Sequence, residues 1–349
     1  MVAASAIALA AAVVAPFGGT PNPTFTANTY QVTVSNRTTS VRHLVAAPER
    51  FSSIAKDPTV VDMAARDGVL LFGATPTTRG RRVDNRYQAA PDGINGPNDV
   101  GLKLAQFAVT EARAGKLQLA AERLAGRDVL RAEIDLAPNS CRNLPEGTAT
   151  IWLTKTTLLP KRLEVERDGE ITTFTYRFAN FNQRLFLRRL GLPVLGPRPQ
   201  RIDNGFKPRT PAVARGPLAL TPRLPTKLPN GFTLVSSGWA PLGARTGVRD
   251  INRRNQSLFS AVYMKGWERI EVTQRLVGAA KFRRDPFSES CLRMQAGTTL
   301  VGNRGARYGI GTEIPSHLWW RDGPIYFTVS GPYPKRDLKV IAESLQKIT

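Results

Sequence analysis

Few residues in this chain could do chemistry, and their spacing argues against most reactions. There are two histidines, His43 and His317, and two cysteines, Cys141 and Cys291. A histidine works as a general base only when a partner group orients it within hydrogen-bond reach. Neither His43 nor His317 has a Cys, Ser or carboxylate at a spacing that forms a recognised nucleophile motif. The cysteines match no zinc spacing and no Cys-x-x-Cys pair. They are candidates for an interdomain disulfide in an oxidising compartment, the alternative being two separately buried thiols. Gly302-Asn303-Arg304-Gly305 is glycine-rich but lacks the Lys-Ser/Thr ending and the strand-helix flanks of a phosphate loop. Most carboxylates alternate with arginines, as in Glu164-Val165-Glu166-Arg167, and no pair stands out as acid and base. The residues therefore nominate no catalytic centre, no metal site and no cofactor, and an exported hydrolase is the weakest of the functional readings.

The aromatic residues say more. Phe72, Trp152, Phe174, Tyr176, Phe178 and Phe181 all fall in stretches that read as strands or strand ends. Ordinary core packing accounts for most of them. A curved antiparallel sheet with a helix over its concave side, however, leaves room for an apolar ligand among such side chains.

The elements that position these aromatics begin with a ladder from Gly126 to Phe178. Leu130, Ala132, Ile134 and Leu136 alternate with Arg131, Glu133 and Asp135, which places apolar and charged side chains on opposite faces of a strand. Ala149, Ile151 and Leu153 repeat the pattern, as do Leu163 and Val165 after Pro160. Asp168-Gly169 suits the positive φ angles of a tight hairpin, and Phe174, Tyr176 and Phe178 follow on one face. Alternation does not say which face points inward. Upstream, strands are expected near 30–36, 41–46, 50–57, 60–65 and 69–72, with Asp67-Gly68 as a hairpin turn. Residues 73–96, rich in Gly, Pro, Asn, Asp and Arg, read as a loop. Asn98 as N-cap, the stripe Val100, Leu104, Phe107, Ala108 and Glu111, and Gly115 as terminator predict a helix over 99–114.

The chain of 349 residues is long enough for two cores. Its net charge of +22 points to an anionic partner. Lys and Arg are spread over strands, turns and linker rather than clustered on one helix, so nucleic acid is disfavoured and an anionic membrane surface fits better. The first 36 residues carry no charge, and Ala6–Ala15 is an apolar run. Its length is that of a signal-peptide core rather than of a full membrane span, so 1–28 is expected to be a signal peptide or N-terminal anchor with a tether. Between Arg188 and Gly231 lie nine of the 26 prolines and nine basic residues against one acid, Asp203. That composition predicts a Pro/Arg-rich linker over 188–227. Beyond it, a hairpin around Lys265-Gly266, a second across Arg321–Pro324 and a terminal helix over 335–347 predict a smaller α+β domain, 228–349. The fold class is thus α+β, with a curved antiparallel sheet covered by helix in 29–187 and the smaller domain after the linker.

Two stretches carry a family pattern. Leu124-Ala-Gly-Arg-Asp128 leading to Leu136-Ala-Pro138, followed by Ile151-Trp-Leu153 and Leu159-Pro160, resembles the LolA/RseB superfamily of exported lipoprotein-localisation-like proteins. Leu228-Pro-Asn-Gly-Phe232, Tyr263-Met-Lys-Gly-Trp267 and His317–Gly331 are similar to the small domain of RseB-type sigma-factor regulatory proteins. The resemblance implies a half-barrel closed by helices, with a hydrophobic cavity for acyl chains. Phe72, Ile151, Leu153, Phe174, Tyr176 and Phe178 are then the lining candidates. It further implies a non-enzymatic, extracytoplasmic protein whose partners are a lipid or lipidated protein and the extracytoplasmic domain of an anti-sigma factor. A lipid or lipoprotein carrier without a regulatory role is the alternative.

Overall fold

In the computed structural model the described residues are 30–37, 40–47, 50–55, 63–66, 69–77, 80–88, 100–139, 144–179, 194–203, 207–208, 221–241, 257–265, 268–276 and 294–348; for most of 42–88 and 194–208 only the backbone is described. They form mostly antiparallel sheet with two helices.

The first six strands run in chain order as β1 (Tyr30–Ser35), β2 (Ser40–Ala47), β3 (Arg50–Ala55), β4 (Met63–Arg66), β5 (Val69–Thr77) and β6 (Gly80–Gln88). Helix α1 (Val100–Arg113) follows. Then come β7 (Ala120–Leu124), β8 (Arg127–Leu136), β9 (Gly147–Thr154), β10 (Pro160–Arg167), β11 (Glu170–Ala179) and β12 (Val194–Asp203). All twelve strands make one sheet in the order β12-β6-β5-β4-β3-β2-β1-β11-β10-β9-β8-β7. The chain therefore places its first strand against the last strand of the ladder, with Val34 opposite Tyr176 and Val32 opposite Phe178.

Two corrections to the sequence reading arise here. Residues 73–96 were expected to be a loop, yet β5 continues to Thr77 and 80–88 form β6. Their Arg, Asp and Asn content resembles a loop, but backbone pairing with β5 is indifferent to it. Within 188–227, read as linker, β12 pairs with β6 in parallel. Proline is tolerated there because β12 is an edge strand, with one side of its backbone free of ladder bonds.

The ladder's register explains its core. Ala132, Ile151, Leu163 and Phe174 lie opposite one another across β8, β9, β10 and β11. Residues directly opposite share a face, so this row and its neighbours build one apolar surface. Helix α1 packs on it through Leu102, Leu104, Ala105, Ala108 and Val109. Asp168 (φ 51°) and Gly169 (φ 77°) both have the left-handed backbone that their hairpin requires. The α1 terminus is closed by Gly115 at φ 72°, whose amide donates to the Ala112 carbonyl at 3.0 Å.

The remaining strands are β13 (Lys207–Pro208), β14 (Arg223–Pro225), β15 (Thr233–Pro241), β16 (Ser257–Lys265), β17 (Glu268–Leu276), β18 (Gln295–Val301), β19 (Arg304–Ile310), β20 (His317–Asp322) and β21 (Ile325–Ser330). Helix α2 (Lys335–Glu343) and β22 (Leu345–Lys347) end the chain. An eight-stranded antiparallel sheet has the order β13-β15-β16-β17-β21-β20-β19-β18, and β14 pairs with β22. The terminal helix is shorter than the 335–347 expected, because its last residues turn back as β22. Gly302-Asn303 is the two-residue turn joining β18 to β19, a hairpin that the sequence reading did not place.

Candidate functional site

The apolar face of the ladder is wider than the helix above it. Ile151 and Leu153 of β9 are fully buried, and Tyr176 of β11 is buried with them. Phe174 and Phe178 lie on the same strand face as Tyr176 but are only partly buried at the edge of the cluster, as are Leu130 and Val165. Five of the six lining candidates thus meet on one surface. Phe72 lies in β5, and its side chain is outside the described residues, as are Cys141 and Cys291.

Helix α1 sits very close to this surface at one point. A Cβ placed on Gly101 would come within 2.0 Å of the Tyr176 hydroxyl oxygen. Only glycine allows that approach, so Tyr176 and Gly101 together fix the height of the helix's first turn over the sheet. The helix's other end is held by different means. Arg113 donates to the Pro332 carbonyl at 2.7 Å and to Glu268 Oε1 at 3.0 Å, and its guanidinium lies 4.7 Å from the centre of the Tyr333 ring. The Tyr333 hydroxyl donates to Glu268 Oε2 at 3.1 Å. Burial and the neighbouring Glu268 charge push the Tyr333 hydroxyl far up, so it stays a donor at every physiological pH. The Arg113 and Glu268 side chains are nearly inaccessible to solvent, at 8% and 4% exposure, which makes this a desolvated, bidentate-like clamp rather than a surface ion pair. Asn139 Nδ2 donates to Glu313 Oε1 at 2.7 Å, a second polar tie between the twelve-stranded sheet's segment and the chain beyond it. Phe107 of α1 packs against both hydrophobic clusters.

The ladder's opposite face is polar. Arg131, Trp152, Arg162 and Thr175 stand opposite one another across it. Arg162 stacks over the Trp152 ring at 5.3 Å and is hydrogen-bonded to Glu164, while Arg131 is hydrogen-bonded to Glu133. Alternation separated these two faces correctly; the structure shows that the apolar one is inside.

His317 is fully buried, its Nδ1 is 2.7 Å from the Pro315 carbonyl oxygen, and its ring stacks on Trp319 at 5.0 Å. His43 lies in β2 with its side chain outside the described residues. Among the described residues no helix is long and apolar enough to cross a membrane.

No family model and no curated protein matches the chain. Among solved structures it is similar to MucB in the MucA/MucB complex of Pseudomonas aeruginosa, at 14% identity and TM-score 0.29, over 92% of this chain and 94% of that one. It is also similar to LprF from Mycobacterium bovis, at 12% identity and TM-score 0.28, over 46% of this chain and 88% of that one. What the chain does must be read from its own side chains. Sequence reasoning missed the Arg113–Glu268–Tyr333 clamp. A basic residue in a helix's last turn is the one local signal, and it also fits an exposed arginine at the helix dipole.

Proposed function

We propose that this is a non-enzymatic, extracytoplasmic protein that binds a lipid or a lipidated protein between α1 and the ladder. The observation that carries it is the apolar margin left by the helix: Phe174 and Phe178 continue the face of Tyr176 outward, half-buried, where an acyl chain would complete the layer. Each methylene buried there stabilises the complex by about 0.8 kcal/mol, so a long acyl chain binds tightly without any polar contact. Phe72, Ile151, Leu153, Phe174, Tyr176 and Phe178 line the path, and the basic surface favours an anionic headgroup or membrane. The residues after the proline-rich stretch form the unit that engages a partner protein. By the motifs at 228–232, 263–267 and 317–331, the partner is the extracytoplasmic domain of an anti-sigma factor, and the role is RseB-like envelope-stress regulation.

The test is native mass spectrometry and lipid extraction of the purified chain, with a fluorescent acyl probe added. Bound lipid or saturable probe binding is expected, with at least about tenfold weaker probe binding in Phe174→Glu and Phe178→Glu. No lipid at any stoichiometry together with no probe binding removes the proposal.

A further inference from the structure

The eight-stranded sheet ends in a strand unlike the other free edges. β18, Gln295-Ala-Gly-Thr-Thr-Leu-Val301, carries no charge, and all of it except Thr299 and Val301 is exposed. At the corresponding end of the twelve-stranded sheet, β7 is just as exposed but carries Glu122 and Arg123. Both are ion-paired, to Arg131 and Asp128, the usual protection of an edge against pairing with another chain. Among the described residues β18 has no such protection. Leu300 is 52% exposed, and a Cβ on Gly297 would meet nothing within 4 Å.

The turn geometry identifies which backbone groups are free. Gly302 (φ 58°) and Asn303 form a two-residue turn, so Val301 and Arg304 flank it as a hydrogen-bonded pair. Pairs alternate along an antiparallel ladder, so Val301, Thr299, Gly297 and Gln295 bond to β19. Ala296, Thr298 and Leu300 then turn their N–H and C=O groups away from the sheet. That is a row of donors and acceptors ready for one more strand. Arg307 lies opposite Thr298 and is exposed, with no ion-pair partner among the described residues.

We infer that β18 is a docking edge for an extended, acidic peptide segment of a partner protein, which adds as a ninth strand alongside Ala296–Leu300. Main-chain hydrogen bonds supply the affinity, and apolar residues at alternate positions extend the face of Thr299 and Val301, opposite to that of Leu300 and Arg307. Acidic residues in between meet Arg307 and the chain's net charge of +22. That same charge opposes a second copy of this chain on the edge. The inference deepens the partner half of the reading above and does not depend on the lipid half.

The experiment uses the full chain and a fluorescent peptide of about ten residues alternating Glu with Val. Anisotropy is expected to show saturable binding, and hydrogen exchange to show new protection at Ala296, Thr298 and Leu300. Thr298→Pro removes an outward N–H without touching a β19 bond, and Leu300→Glu places a like charge against the acidic peptide; each should weaken binding about tenfold, the worth of a main-chain hydrogen bond or two. A peptide N-methylated at alternate residues, identical in charge, should not bind. Equal binding of the N-methylated peptide, unchanged binding by Leu300→Glu, or no binding by the native chain overturns the inference. So does edge protection that rises with protein concentration alone, which marks a self-paired dimer. Failure here with lipid still bound leaves the cavity proposal standing; loss of lipid binding with peptide binding intact does the reverse.

Discussion

In the ladder β8–β11 most side chains of the polar face reach solvent, Trp152 excepted, whereas the described side chains of β16, β17 and β21 are buried on both faces, Arg269 only partly. β21 is buried along its whole length, and β17 buries Glu271, Thr273 and Arg275 on one side as well as Ile270, Val272 and Gln274 on the other. Both regions show the polar-apolar alternation of a half-buried strand. Alternation therefore reports that a strand exists and how its faces differ, not that its polar face is wet. Two of the buried polar groups of β17 are held by hydrogen bonds: Arg269 donates to Glu271 at 3.2 Å. Gln274 accepts from the Arg223 amide at 2.8 Å and donates to the Arg223 carbonyl at 2.6 Å, so one side chain serves β14 as a ladder partner would. In the ladder, by contrast, polar contacts are surface pairs that contribute little, and burial of the apolar row carries the stability.

That contrast can be broken most strongly where a helix links the two regions. Arg113→Met leaves Glu268 buried without its cation and should cost about 3–5 kcal/mol in urea unfolding; adding Glu268→Gln should restore a large part. If Arg113→Met is neutral, the clamp is not desolvated as described. On the ladder side, Gly101→Ala forces α1 away from Tyr176 and should cost roughly 2–3 kcal/mol, with Tyr176→Leu in the same chain recovering some of it. In the eight-stranded sheet, Gln274→Leu strands the Arg223 amide and carbonyl, an expected loss of about 1–2 kcal/mol.

A smaller effect is pH-dependent. Burial alone would raise the Asp322 carboxyl, but the hydrogen bond and charge of Arg223, with Arg304 beside it, outweigh that and hold it below the usual carboxylate range. A carboxyl lowered on folding stabilises the fold fully above its unfolded value of about 4, and the benefit fades as pH falls through the lowered folded value. Urea midpoints of the native chain and Asp322→Asn should therefore differ at neutral pH and converge in acid. The smallest effect is expected at Ile171, 63% exposed on β11, where Ile171→Thr should stay within about 0.5 kcal/mol. A larger loss would mean that the ladder's margin is covered.

Much of this was legible residue by residue. The ladder and α1 followed from spacing, because their side chains sort by burial at the period of their own backbone. The β18–β19 hairpin was not placed: Gly302-Asn303 drew notice only as a failed phosphate loop, although Thr-Thr-Leu-Val before it and Ala-Arg-Tyr-Gly-Ile after it are strand sequences. β6 was hidden by arginines that look like a loop. Of the candidate site, the aromatic positions were readable, since they recur on one strand face. The clamp was not, because Arg113, Glu268 and Tyr333 are far apart in sequence and no local pattern couples them.

One consequence follows from the place of α1. Phe107 belongs to both apolar clusters, and Arg113 ends in a clamp made by residues more than a hundred positions downstream. The helix that roofs the ladder is thus also a packing element of the second core. Loosening it removes packing from both cores at once, so the two halves are expected to melt together, in one calorimetric transition rather than two.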